Sequence, residues 1–276
     1  MGLRRIYKHF KNDGIDGLIY RCINILGIKT HYLNIREKNK YDLDQRVINL
    51  SNSRVLSGHY KDIYLSGKSD WGVNDFSSKI LGFYEEQIQD EISMIQKKFN
   101  LEYLVNFGAS DGYHLIGNMK KKKFKKAYAF EISKKERDIL KINLKKNNLI
   151  DDVEIYGAAG FRKILDLLDI NDLKKTLFLI DIEGAEFDLF NNEFNEKLKD
   201  SFFIIENHDF LLRDYKKKMM FDELVNKFFN VNIVKNKGRN PFQFDFMKSF
   251  TDDERWLMMS EQRPCEMNWI VLKPKS

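Results

Sequence analysis

Acidic side chains and one histidine stand directly after two apolar runs of the chain, where they could bind a cation or move a proton. Asp181 and Glu183 follow the run LFLI, and Glu206 and His208 follow FFII. An imidazole with an ordinary pKa of about 6.5 can accept a proton at neutral pH, so His208 is a candidate general base. Asp181 and Glu183 could bind an amino group or the hydroxyl groups of a substrate. The alternative for His208 is a structural role, as a hydrogen-bonding support for its loop.

The same residues raise the question of a metal ion. Asp181, Glu206 and His208 offer oxygen and nitrogen ligands of the kind that divalent ions accept. We expect no metal, because carboxylates beyond neighbouring parallel strands also serve simply to bind hydroxyl groups. Glu186 and Asp188 come a little later in the chain. The dipole of a helix that starts there explains both without any function.

A glycine turn and a distant carboxylate form a second group of candidate residues. In NFGASDG (106–112), Gly108 and Gly112 stand at a predicted strand-to-helix turn, where glycines let the backbone approach a ligand. Ser110 takes the place of the second glycine of the dinucleotide fingerprint, and the turn carries no Lys. Glu131 follows Gly112 by 19 residues and could accept hydrogen bonds from both hydroxyls of a ribose. The combination predicts a nucleoside cofactor without a phosphate contact, and S-adenosylmethionine is the common one; a tight turn and a solvated carboxylate are the alternative.

Regular alternation of strand and helix patterns places all of these residues at one edge of a sheet. The predicted strands cover 101–107, 127–131, 153–157, 177–181 and 202–206, and the helices that follow them cover 111–122, 134–147, 161–168, 185–198 and 211–229. Two closing strands are expected at 231–234 and 268–273. Such alternation predicts parallel βαβ units in an α/β, doubly wound, Rossmann-like sheet. Ligands of these sheets bind beyond the carboxyl ends of the strands.

The rest of the chain gives a coarser domain organisation. Residues 1–74 are expected to form an N-terminal cap, and residues 75–276 the main domain, which begins with an amphipathic helix from Phe76 to Ile95. The aromatic-rich stretch 235–267 either covers an acceptor site or is a packing segment. His114 could line the cofactor turn, but we expect it on a helix surface.

Composition excludes several classes of protein. The chain has 276 residues, of which 43% are hydrophobic, so it can bury a core and is not disordered throughout. Lys and Arg exceed Asp and Glu by 47 to 41, a net charge of +6, and the basic run 120–126 is interpreted as a solvated helix end rather than a polyanion or nucleic-acid site. The two cysteines make neither a disulfide framework nor a zinc motif, which favours a reducing cytoplasm. No run approaches the roughly 18 apolar residues of a membrane span.

The strand-end motifs together resemble the FkbM-type branch of the S-adenosylmethionine-dependent methyltransferases. The resemblance rests on VNFGASDG followed by FE, on LIDIEGAEFDLF and on IIENH, and it covers roughly residues 100–210. It implies a class I methyltransferase sheet and methylation of an oxygen on a sugar, a glycan or a small molecule. Asn106 replaces the acidic residue that is usual at the end of the first strand, although an amide oxygen can also accept a hydrogen bond.

The resemblance also implies roles for particular residues. His208, Asp181 and Glu183 would be catalytic, with no metal ligands. The cofactor would be bound by a larger set: Asn106, Gly108, Ser110, Asp111, Gly112, Glu131, Ile132, Ala158 and Asp181.

Two other functions compete with this interpretation. One is a carbohydrate- or polyanion-binding protein that has lost catalysis and uses the basic run 120–126. The other is an NAD-linked dehydrogenase, which is disfavoured by Ser110 and by the lack of a recognisable Tyr-x-x-x-Lys pair.

Overall fold

The computed structural model describes residues 35–69, 75–158 and 160–275. The chain divides into two compact units, residues 1–42 and residues 43–276. Most of the first unit, and the predicted domain boundary at residue 74, lie outside the described residues. The residues from 43 to 69, which the sequence assigned to the cap, belong to the larger unit. The boundary after residue 74 stays a prediction.

A seven-stranded sheet forms the centre of the larger unit, in the order β3-β2-β1-β4-β5-β7-β6. The strands are β1 (Tyr103–Phe107), β2 (Lys126–Phe130), β3 (Val153–Tyr156), β4 (Thr176–Ile180), β5 (Phe202–Glu206), β6 (Phe229–Lys235) and β7 (Asn268–Pro274). The first five are mutually parallel, and β7 pairs antiparallel with both β5 and β6. This doubly wound, Rossmann-like sheet confirms the predicted fold class, and its strand order reverses beside β1.

Helices connect the strands and precede them. They are α1 (Ile35–Ser51), α2 (Phe76–Leu81), α3 (Glu86–Phe99), α4 (Tyr113–Lys120), α5 (Lys134–Lys146), α6 (Phe161–Leu167), α7 (Ile170–Leu173), α8 (Glu186–Leu189), α9 (Asn192–Leu198), α10 (Lys216–Phe228) and α11 (Asp252–Met259). Single 3₁₀ turns occur at Asp209–Leu211 and Asp245–Ser249. None of the described helices is long and apolar enough to cross a bilayer.

The central strands are apolar throughout because both of their faces are covered. Side chains alternate between the faces of a strand, so Leu177 and Ile204 lie in the core on one side of the sheet. Phe178 and Phe203 lie in the core on the other side, where their rings stack. Burial on both faces leaves polar side chains only at the strand ends, which is where the candidate residues lie.

Three predicted helices are shorter than the periodicity of the sequence indicates. The helix expected from Phe76 to Ile95 is interrupted at Gly82, which has φ +87° and where an added Cβ would overlap the carbonyl oxygen of Ser57. The helix expected over 185–198 is two short helices, α8 and α9. The one expected over 211–229 begins at Lys216. In each case the apolar spacing continues through a turn, so periodicity alone does not detect the break.

The stretch 235–267 contains a helix that the sequence interpretation missed. Thr251 accepts a hydrogen bond from the backbone N–H of Glu254, and the Glu254 side chain accepts one from the N–H of Thr251. This reciprocal capping box starts α11. The T-x-x-E spacing at 251–254 was the available signal.

Candidate functional site

The carboxyl ends of β4 and β5 bring together three of the predicted residues. Asp181, Glu206 and His208 each offer a ligand atom, and these atoms all lie within 4.8 Å of one another. The side chain of Asp181 is 33% exposed. Its Oδ1 atom is nevertheless buried and has no hydrogen-bond partner among the described residues. An acceptor in this position is suited to a donor that comes with a ligand.

His208 is held in one orientation by a carboxylate beneath it. Its ring is buried, and Nδ1 lies 3.0 Å from Glu186 Oε1, which also accepts a hydrogen bond from the backbone N–H of His208 at 3.2 Å. A carboxylate only accepts hydrogen bonds, so this contact keeps a proton on Nδ1 and leaves Nε2 as the basic nitrogen of the neutral ring. Nε2 lies 3.5 Å from Glu206 Oε2 and 3.7 Å from both Asp181 Oδ1 and Glu183 Oε2.

The sequence interpretation explained Glu186 by the helix dipole alone, and this is wrong because the ring of His208 is also held by Glu186. Its side chain is 1% exposed, and its second oxygen, Oε2, accepts a hydrogen bond from the N–H of Gly184 at 2.9 Å. The chain turns back at Glu183 and Gly184, which have φ values of +54° and +96°. This turn places Glu186 under His208, while the Glu183 side chain is 72% exposed.

The charges around the site change the pKa values of its members. Burial, and next the Glu206 carboxylate, raise the pKa of Asp181 well above its usual range. Burial opposes ionisation of Glu206 as well, but the Arg263 guanidinium holds its pKa below the usual value. Burial alone would lower the pKa of His208, but Glu186 and Glu206 raise it. The imidazole is therefore protonated at a higher pH than a free histidine.

An arginine from the stretch 235–267 reaches this site. Arg263 forms ion pairs with Glu206 and with Glu85, and its Nε donates to Glu261 at 2.7 Å. Glu85 Oε2 in turn lies 2.6 Å from His114 Nε2. His114 is thus a partly buried member of the network, and its expected place on a helix surface is wrong. Sequence reasoning also missed Glu85, Glu261 and Arg263, which no strand-end motif indicates.

Negative charge exceeds positive charge at this edge of the sheet. The network contains six carboxylates, and the guanidinium groups paired with them are those of Arg239 and Arg263. The carboxylates are Glu85, Asp181, Glu183, Glu186, Glu206 and Glu261. A cationic ligand would offset this excess, since buried charges need partners of opposite sign.

The glycine turn has a different physical cause from the one expected. A Cβ on Gly108 would overlap the carbonyl oxygen of Asp181, and a Cβ on Gly112 would overlap the side chain of Leu140. Both residues have positive φ, +78° and +87°. The glycines are thus required by the protein's own atoms, whether or not a ligand also approaches the turn.

Glu131 lies at the end of β2 and is almost completely buried. One of its oxygens accepts a hydrogen bond from the N–H of Ser110 at 3.0 Å, and the other accepts one from the N–H of Ser133 at 2.8 Å. Each carboxylate oxygen can accept a further bond. The next residue, Ile132, is the most exposed large apolar side chain of the described residues, at 73%. Ala158 is also exposed, beyond the end of β3.

Two other predicted cofactor residues are already engaged within the protein. Asp111 Oδ2 pairs with the buried Lys79 at 3.0 Å, and its Oδ1 accepts a hydrogen bond from the N–H of Tyr113. The Asp111 carboxylate raises the pKa of Lys79 against the effect of burial, which would lower it. Asn106 donates through Nδ2 to the carbonyl of Leu179 at 3.3 Å. The amide oxygen of Asn106 stays available to accept a hydrogen bond from a ligand. Asp111, in contrast, anchors the turn to α2 through Lys79.

The basic run 120–126 lies at the other edge of the sheet. Leu101 and Glu102 precede β1, and Lys125 precedes β2; with Lys122 and Lys123 they line a cavity of about 780 Å³. Lys125 is exposed and pairs with Glu102 at 2.7 Å, which is compatible with a solvated segment. The cavity is therefore separate from the residues at the carboxyl ends of the strands.

Comparison with known proteins finds solved structures of low similarity to the chain. No family model matches the chain, and no curated protein matches it. An O-methyltransferase from Bacillus cereus in complex with SAH is 14% identical, with a TM-score of 0.42 over 87% of this chain and 93% of that one. A precorrin-6y C5,15-methyltransferase from Geobacter metallireducens is 13% identical, with a TM-score of 0.41 over 68% and 89%. A precorrin-8w decarboxylase from Methanobacterium thermoautotrophicum is 14% identical, with a TM-score of 0.42 over 67% and 90%.

Proposed function

We propose that the protein is an S-adenosylmethionine-dependent methyltransferase that acts on an acceptor hydroxyl. The observation that carries the proposal is the excess of carboxylates at the ends of β4 and β5, where the buried Oδ1 of Asp181 lacks a partner. The cofactor bears positive charge on its sulfonium and its amino group, so it has the charge that this edge of the sheet lacks. Doubly wound sheets in general bind their ligands at this same edge, which supports the proposal.

The residues present fit the parts of this cofactor. Glu131 has acceptor capacity left for two ribose hydroxyls, and the exposed Ile132 offers an apolar surface for a flat base. Asn106 and Asp181 offer oxygens to the methionine amino group. Ser110, Gly108 and Gly112 shape the turn between them, and Ala158 would border the base. When bound, the cofactor would supply an electrophilic methyl group on sulfur.

The chain's own groups would position the acceptor and remove its proton. Nε2 of His208 faces the space that Asp181, Glu183 and Glu206 surround. These carboxylates can accept hydrogen bonds from neighbouring hydroxyl groups, which suits a sugar, a glycan or a small hydroxylated molecule. His208 takes the proton of the reacting hydroxyl, and the resulting imidazolium is stabilised by Glu186 and Glu206.

A competing assignment makes Asp181 or Glu183 the base and His208 a support for the loop. Glu183 is the better exposed of the two, whereas the raised pKa of Asp181 favours its basicity. Substitution of His208 together with the pH dependence of turnover separates these assignments.

Calorimetry with S-adenosylmethionine and with its demethylated product tests the proposal. We expect micromolar binding of both, and Asp151→Ala, a change of an exposed acid beyond the site, should leave it unchanged. Protein that binds neither compound but binds a polyanion such as heparin would support the non-catalytic rival. Mass spectrometry of the cofactor-loaded protein with sugar and lipid-linked glycan acceptors would then identify the methylated product.

A further inference from the structure

Large apolar side chains are concentrated on the surface just after His208. Of the 17 exposed large hydrophobic residues in the described parts of the chain, five fall within residues 210–220. Their exposed fractions are 42% for Phe210, 47% for Leu211, 66% for Tyr215, 61% for Met219 and 63% for Met220. We refer to this stretch as the 210–220 surface. Single exposed apolar residues need no explanation, but a local concentration indicates an interaction site.

The core does not need these side chains. Helix α10 buries Phe221 and Val225, which lie on one face. At 100° per residue, Met219 and Met220 lie on the opposite half of the helix, with Lys216 between them. The helix thus has apolar residues on its outer half as well as its inner half, which packing within the chain does not explain.

Positive charge accompanies the apolar residues. Lys217 pairs with Asp188, and Lys218 pairs with Asp222. Arg213 and Lys216 are exposed, and neither forms an ion pair with another described residue. Asp214 is also exposed and forms no ion pair with another described residue, and its Oδ1 accepts a hydrogen bond from the backbone N–H of Lys216 at 2.9 Å. Four basic residues accompany this one acid within 210–220, so the surface has a net positive charge.

We propose that the 210–220 surface docks on an anionic lipid bilayer. Segments that combine exposed Met, Phe, Leu and Tyr with Lys and Arg bind bilayers, because the apolar side chains enter the headgroup boundary and the cations meet anionic lipid. A second copy of this chain fits the surface less well, since the net positive charges of the two surfaces would repel one another across a twofold axis. A protein partner would need an acidic apolar patch, whereas a bilayer supplies both components.

Docking would bring the candidate site close to the lipid. The backbone N–H of Leu211 donates to the carbonyl of His208 at 2.9 Å, and the Phe210 ring lies 6.0 Å from the His208 ring, centroid to centroid. If the proposed function holds, on which this step rests, the acceptor is a hydroxyl presented at a membrane surface, such as the sugar of a glycolipid.

Sedimentation with lipid vesicles tests the docking without cofactor or acceptor. We expect the full chain to bind phosphatidylcholine vesicles that contain about one third phosphatidylglycerol. Binding to pure phosphatidylcholine, or in about 0.5 M salt, should be at least about fivefold weaker. Met219→Gln with Met220→Gln should weaken binding by about tenfold or more. The matched control is Ile142→Gln with Ile170→Gln, which changes two apolar residues elsewhere that are 49% and 67% exposed. Arg213→Gln with Lys216→Gln should remove the preference for anionic lipid.

Several results would overturn the proposal. One is that the full chain sediments with neither kind of vesicle, and another is that the control variant loses as much vesicle binding as the Met219→Gln, Met220→Gln variant. Vesicle binding that is lost only when Lys121 and Lys122 of the basic run are changed to Gln would also contradict it. A dimer in sedimentation velocity that Met219→Gln and Met220→Gln abolish would assign the surface to a second copy instead. All changes are at exposed residues, and thermal unfolding verifies that each variant folds. The two proposals can fail separately: protein that does not bind vesicles can still bind the cofactor in calorimetry, and protein that does not bind the cofactor can still bind vesicles.

Discussion

His208 combines an oriented ring with a pKa that its carboxylate neighbours raise. A general base must be deprotonated to act, and the raised pKa keeps the ring protonated to a higher pH than usual. We therefore expect turnover to fall as the pH falls, with a midpoint above the ordinary imidazole value of about 6.5. The measurement is the pH profile of turnover at saturating cofactor. A midpoint near the usual range of carboxylates would contradict the histidine base. Asp181 also has a raised pKa, so the substitutions of His208, and not the midpoint, distinguish it from His208.

Substitutions at the same residues separate a base from a support. His208→Ala should lower turnover by about 100-fold while cofactor affinity barely changes, and a His208→Gln variant close to wild type would rule out the base. Glu186→Gln should move the pH midpoint down, because the hydrogen bond to Nδ1 can remain while the charge is lost. The control is Asp188→Asn, two residues further along α8 and 66% exposed, which should leave the midpoint unchanged.

Glu131 is the residue on which the ribose contact depends. Glu131→Ala should cost about 1.5–3 kcal/mol of cofactor affinity, since two charge-assisted hydrogen bonds are lost. The carboxylate also holds the N–H groups of Ser110 and Ser133, so Glu131→Gln, which keeps one acceptor oxygen, should cost less. Calorimetry measures both, with circular dichroism to verify the fold. Unchanged affinity in a folded Glu131→Ala variant would contradict the ribose contact.

The cluster of Asp181, Glu206 and His208 could hold a divalent ion, since its ligand atoms are close enough. Arg263 already pairs with Glu206, and Glu186 already holds His208. We therefore keep the expectation that methyl transfer survives EDTA. Activity should be assayed after dialysis against the chelator, with and without added magnesium or manganese. Loss of activity that either ion restores would identify the three residues as ligands.

Gly108 lets the turn after β1 pack closely against the backbone at the end of β4. Gly108→Ala should destabilise the protein by about 2 kcal/mol or more, because a Cβ would overlap the backbone of Asp181 and the residue has positive φ. Gly160→Ala is the matched control, since a Cβ there would meet no atom within 4 Å. Thermal or denaturant unfolding measures both. If the Gly108→Ala variant is as stable as the control but binds the cofactor more weakly, then the glycine is needed for the approach of the cofactor and not for the fold.

The sheet could be predicted from sequence because its strands are short, apolar on both faces and separated by helix-length segments. The same regularity identified Asp181, Glu206 and His208, since parallel strands bring their carboxyl ends to one edge. The break at Gly82 could not be predicted, because its cause is the carbonyl of Ser57, which is distant in sequence. The contact of Arg263 with Glu85 joins residues 178 positions apart, and no local pattern contains it.

At the scale of the whole molecule, Arg263 ties the stretch 235–267 to the sheet. Its guanidinium links Glu206 of β5 with Glu85, which precedes α3, and its Nε donates to Glu261. Removal of one partner from a buried ion pair is costly because it leaves the others uncompensated. The stretch 235–267 is therefore part of the folded site, and its Phe244 packs against Phe83, as the packing alternative predicts.

The extent of the folding unit can be tested by shortening the chain. Val55, Tyr60, Ile63 and Leu65 are buried, and the Tyr60 ring fills the space that Gly117 of α4 leaves open. Asn143 of α5 accepts a hydrogen bond from the backbone N–H of Ser66, and Asn147, which caps the end of α5, accepts one from the N–H of Tyr64. Each of these apolar side chains contributes about 1.5–3 kcal/mol on burial, and together they rival the roughly 5–15 kcal/mol of a typical domain.

We therefore propose that the main folding unit includes residues 43–69, and that the boundary after residue 74 is too late. A fragment of residues 35–276 should unfold cooperatively, whereas a fragment of residues 75–276 should aggregate or melt without a transition, because its exposed core would face water. Calorimetric unfolding and gel filtration of the two fragments provide the measurement. If residues 75–276 alone remain monomeric and melt within a few degrees of the full chain, the later boundary is correct and residues 43–69 only cover a domain that is complete without them.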